Sequence, residues 1–98
     1  MPLSVAQKSA IKQVVNLRCE WCGKKFIEAV LHIHHINGNR DDNRQVNIIV
    51  LNSNDHNRAH SDDRRITAAR LRERVIGRSE RRKELIRDIV NPRYCQSK

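Results

Sequence analysis

The sequence predicts a small α+β domain: a two-stranded hairpin plus a helix, flanked by an N-terminal helix and basic C-terminal helices. Three observations predict it. All five histidines, His32, His34, His35, His56 and His60, fall within residues 31–60. Two short apolar runs, Val30 to Ile36 and Ile48 to Leu51, sit in that stretch, separated by a polar loop that opens on the turn signal Asn37-Gly38. A helix signal follows, and on that helix His56 and His60 stand four residues apart, so both imidazoles leave one face. Strand, loop, strand and helix, with histidines at the start and the end, is the order of a small metal site.

The 98 residues make one domain, with a core over about 17–60 and a helical extension over about 61–98. A chain this short has a core of marginal stability and gains from a metal or a partner chain as a staple. Twenty Lys and Arg against eleven Asp and Glu leave a net charge of +9, which points to a polyanionic partner, nucleic acid first. Trp21, Phe26 and Tyr94 are the whole aromatic set, too few for a base-stacking platform of the single-strand-binding kind. No apolar run approaches the ~20 residues of a membrane span, and the chain opens on a helix instead of a secretory signal. Three cysteines make no even disulfide framework. They fit a reducing, cytoplasmic setting with Cys19-x-x-Cys22 as a metal knuckle.

Taken in order, Ser4-x-x-Gln7 is a capping box, and Ala6, Ala10, Ile11, Val14 and Val15 repeat at helical spacing up to Asn16. In the knuckle, Gly23 permits the tight turn that brings two thiolates together. Along Val30 to Ile36 side chains alternate, so His32 and His34 share a face and His35 takes the other. His34 and His35 can serve one site if the strand twists or ends there, as the Asn37-Gly38 turn allows. His32 reads as a packed or surface histidine. Ile48 to Leu51 is a buried strand, and Ser53 is the expected cap of the helix that carries Asp55, His56 and His60. Ser61, Asp62 and Asp63 signal the next helix, with Ala68, Leu71 and Val75 as its apolar stripe and Gly77 as its end. Ser79 to Val90 forms the last, stopped before Pro92, with Leu85, Ile86, Ile89 and Val90 on one face. Its basic residues Arg78, Arg81, Arg82, Lys83 and Arg87 are candidate DNA contacts, and equally a solvated helix face.

The combination of Cys19-x-x-Cys22-Gly23, His34-His35-Ile36-Asn37-Gly38-Asn39, Asn47 to Leu51 and His56-x-x-x-His60 resembles the HNH nuclease family, over roughly residues 19–60. The resemblance implies a ββα-metal fold and metal-dependent DNA cleavage. It implies His35 as general base, and His34, His56 and His60 as ligands of one divalent cation. Asn47 would either pin the loop near the base or help to ligate the metal. Where the family usually carries a second C-x-x-C, this chain has Asn52 and Asp55. Four good zinc ligands therefore cannot be named, although Cys95 could add a thiolate. A structural zinc at Cys19 and Cys22 and a zinc-free knuckle of buried small residues both stay open.

The residue types suit the chemistry. Histidine, with a pKa near ~6.5, is an unprotonated base at neutral pH, and a divalent cation neutralises charge developing on a phosphodiester. Three imidazoles favour Zn²⁺, Ni²⁺ or Mn²⁺ over a strict Mg²⁺ requirement. The expected function is hydrolysis of double-stranded DNA to 5′-phosphate and 3′-hydroxyl ends, and one site per chain makes double-strand cutting a matter of a homodimer or two encounters. Two rivals stand beside it. One is a zinc-stabilised DNA-binding module without cleavage, using Cys19, Cys22, His56 and His60. The other is a structural protein whose basic tail binds a nucleic-acid-bearing partner.

Overall fold

The computed structural model describes residues 2–61 and 65–91. Helix α1 spans Val5–Val14, strand β1 Leu31–His35 and strand β2 Ile48–Asn52; helices α2, α3 and α4 span Ser53–Ala59, Ala68–Ile76 and Glu80–Val90. The fold is α+β, with one two-stranded antiparallel hairpin and four helices among the described residues.

The local signals place most elements. Ser4 accepts from the Gln7 amide and donates its own amide to Gln7 Oε1, the reciprocal bonds of a capping box at the start of α1. At its other end Asn16 and Leu17 adopt positive φ, +56° and +55°, turning the chain back towards the knuckle. Gly23 takes φ +77° and donates its amide to the Cys19 carbonyl, closing the expected tight turn. The register pairs His34 with Ile49 and His35 with Ile48. Every residue of β2 is buried, as its unbroken apolar run requires.

Three expectations change. The cap of α2 is Asn52, whose Oδ1 accepts from the Asp55 amide while its own Nδ2 donates to the Asp55 carboxylate; Ser53 is already inside the helix. Asn52 wins because its longer amide can make both bonds at once. Helix α3 starts at Ala68, capped by Thr67, and not at Ser61; Arg65 and Ile66 lie in a turn and a bend. Ile66 just before the cap and Leu71 in the first turn are both buried, the two positions of a hydrophobic staple that overrides the more polar signal upstream. Asp62 and Asp63, like Pro92, lie outside the described residues.

The third change concerns Arg82, expected as a DNA contact. It is buried, and its guanidinium forks onto the buried carboxylate of Glu20 at 2.8 and 3.0 Å. It also donates to the Ile48 and Gln45 carbonyls. Glu20 in turn accepts from the Val50 amide. This pair ties the knuckle, β2 and α4 together; four of the five Arg82 N–H donors are used inside the protein and the side chain is buried, so it is not presented to a phosphate. The apolar core joins Ile11 from α1, Val15 at its C-cap, Leu31 from β1, all of Ile48 to Leu51, Leu71 and Val75 from α3, and Ile86 from α4. No helix among the described residues is long and apolar enough to cross a membrane.

Candidate active site

The alternation of β1 sends His32 and His34 towards α2. His34 is buried, and its ring meets those of His56 and His60 edge-on at 5.2 and 4.9 Å between centroids. His32 stacks on His56 at 4.9 Å, so it is a packed histidine. On α2 the i, i+4 spacing sets His56 Nε2 and His60 Nε2 3.0 Å apart. One nitrogen of each of His34, His56 and His60 lies within 4.8 Å of the others. Three imidazoles converging from a strand and a helix are a donor set for a divalent transition metal.

Burial, reinforced by His56, His60 and His35, lowers His34 from 6.5 to about 4. Burial, then His60 and His32, lowers His56 in the same direction. At neutral pH these rings keep lone pairs that can face a cation instead of protons that would repel it.

His35 lies at the end of β1, where the strand gives way to the turn. His34 and His35 therefore line the same cleft of about 280 Å³ with His56 and His60, despite their alternating positions. His35 Nε2 is 2.8 Å from Asn43 Oδ1. The oxygen accepts, so Nε2 carries a proton, and Nδ1 is the ring nitrogen left to act as a base in the neutral tautomer. Asn43 was not singled out as a site residue in sequence: it is eight residues beyond His35 in a loop, with no periodicity to mark it.

Asn47 takes the loop-pinning place of its two expected ones. Its Oδ1 accepts from the Asn37 amide, and its Nδ2 donates to Asn37 Oδ1 and the Asp42 carbonyl, each at 2.9 Å. These bonds tie both ends of the loop between β1 and β2. Asp42 adds to the same lattice: it accepts from Asn37 Nδ2 and forks with Arg44, which holds its carboxyl well below the usual range.

At the knuckle, Cys19, Cys22 and Asp55 bring three potential ligand atoms within 4.8 Å of one another. They are joined by hydrogen bonds. The Cys19 thiol, pushed up to about 11 by burial, donates to Asp55 Oδ2 at 3.2 Å. Asn52 turns its Nδ2, a donor, towards both Cys22 Sγ and Asp55. Its only acceptor oxygen is spent on the helix cap. The set therefore offers three ligands and no fourth among the described residues, which does not close a structural zinc site; Cys95 lies outside them.

The remaining expected DNA contacts are only partly free. Arg78 pairs with Glu20 at 3.1 Å and Lys83 with Glu80 at 3.3 Å, Arg87 is half-buried, and Arg81 is exposed. The chain matches no protein-family model, no curated protein and no solved structure.

Proposed function

We propose that this protein is a metal-dependent DNA endonuclease of the HNH type. The observation that carries the reading is the convergence of His34, His56 and His60 on one point of a cleft that His35 also lines. A structural zinc module has no use for an oriented imidazole beside the ligand set.

His34, His56 and His60 would hold one divalent cation, Zn²⁺, Ni²⁺, Mn²⁺ or Mg²⁺, which would neutralise charge developing on a phosphodiester. His35 takes a proton from the attacking water at Nδ1, while Asn43 keeps the ring's other proton on Nε2. The new bond forms between the water oxygen and phosphorus, and the bond to the 3′ oxygen breaks. That oxygen leaves as an alkoxide and takes a proton from solvent, giving 5′-phosphate and 3′-hydroxyl ends. Asn47 and Asp42 hold the loop that carries Asn43, so that the His35 ring stays aimed.

Supercoiled plasmid incubated with purified protein and each of the four metals tests the reading. Conversion to relaxed or linear DNA is expected with at least one. Intact plasmid in every metal would overturn it.

A further inference from the structure

Two cations that sequence reasoning passed over also line the histidine cleft: Lys8 from α1, and Arg40 from the loop after β1. Several other basic residues are engaged by protein acceptors. Lys12 donates to the Glu28 carbonyl, Arg44 pairs with Asp42, Arg58 with Asp55, and Arg82 with Glu20. Lys8 and Arg40 are exposed, and neither cationic head has a protein partner among the described residues. Among the described residues, no acidic one lines the cleft. Two unengaged cations in one cleft are a place for an anion.

Both cations stand on fixed backbone. Lys8 sits one turn into α1, just after the capping box, and its amide donates to the Ser4 carbonyl. Arg40 is flanked by Asn39, whose side chain accepts from the Asp41 amide, and lies within the segment that Asn37, Asp42 and Asn47 bind together. The two reach the cleft from different elements, α1 and the loop after β1.

We propose that Lys8 and Arg40 clamp the non-reacting phosphates on either side of the phosphodiester held over His34, His56 and His60. The cleft then takes an internal position of a nucleic-acid strand in preference to a lone diester. This rests on the nuclease reading for its reacting phosphate, but the clamp itself is a binding statement and can be tested without cleavage.

The experiment measures binding of a fluorescent DNA duplex in EDTA, across ~50–200 mM salt, for wild type and Lys8→Ala/Arg40→Ala. Two lost phosphate contacts make the log–log salt slope shallower by about 1.8, at ~0.9 for each contact. A Lys8→Arg/Arg40→Lys variant should restore the wild-type slope, because charge is what the clamp supplies; a merely structural role would lower the melting temperature instead. Where wild type cleaves, the alanine variant should lose at least tenfold more rate on DNA than on bis(p-nitrophenyl) phosphate, a diester with no flanking phosphates. An unchanged salt slope in a folded alanine variant overturns the clamp. Wild type that binds with the expected slope difference but cuts in no metal overturns the nuclease reading and leaves the clamp standing.

Discussion

Truncating Arg82 to alanine strips the buried Glu20 carboxylate of its forked partner and leaves the Ile48 and Gln45 carbonyls without their donor. What remains at Glu20 is the Val50 amide and the part-exposed Arg78. Breaking a buried pair by removing one partner costs ~3–5 kcal/mol. A domain of this size has roughly 5–15 kcal/mol in total, so the loss takes about three-tenths to a half of a mid-range stability. At about 4–8 °C per kcal/mol, the melting temperature should fall by at least ~12 °C. Circular dichroism melts and urea titrations read this directly. Glu20→Gln with Arg82→Met should recover much of the loss, since the glutamine still accepts from Val50 and no charge is left buried. DNA binding by Arg82→Ala, measured where it is folded, should keep the wild-type salt slope, whereas Arg81→Ala should shallow it. An Arg82→Ala melt within ~3 °C of wild type, or a shallower slope for that variant, would refute the structural assignment of Arg82.

Other perturbations separate the parts of the site. Asn47→Ala removes three side-chain hydrogen bonds and should cost ~2–4 kcal/mol in urea titrations; a cost under ~0.5 kcal/mol would contradict the loop-pinning role. Cys19→Ala should cost only ~1–3 kcal/mol, with no zinc found by elemental analysis of protein purified without chelator. Unfolding of that variant, together with one zinc in wild type, would instead mean a structural ion contributing ~10 kcal/mol or more. His34 is lowered from 6.5 to about 4, so between those values the unfolded chain binds more protons than the folded one. Metal-free protein should therefore have this contribution in full above pH ~6.5 and lose it, at most ~3 kcal/mol, as pH falls towards ~4. His34→Gln should flatten the urea midpoint across that window; an equally steep profile would place the titrating group elsewhere.

What the sequence shows well here is local. The Ser4–Gln7 box, the Gly23 turn, the buried β2 run and the shared face of His56 and His60 each depend on residues within a few positions. Such signals survive folding because the backbone enforces them. The cap of α2 was displaced by one residue because Asn52 and Ser53 are both competent caps, and only the bond to Asp55 separates them. The role of Arg82 was hidden because Glu20 lies 62 residues away, and a basic helix looks the same whether one arginine points inward or outward. Lys8 and Arg40 were missed for a related reason: single cations among twenty basic residues acquire meaning only when α1 and the loop after β1 reach one cleft.

The central claim is that His35, oriented by Asn43 beside the three-histidine donor set, is a base for phosphodiester hydrolysis. Initial rates of plasmid cleavage by wild type and His35→Ala, in the metal that best supports wild type, test it most directly. DNA affinity measured in parallel controls for folding and binding. The variant should cut ~10²–10⁴ slower while binding DNA nearly as well as wild type. Cleavage by His35→Ala at the wild-type rate would contradict the assignment.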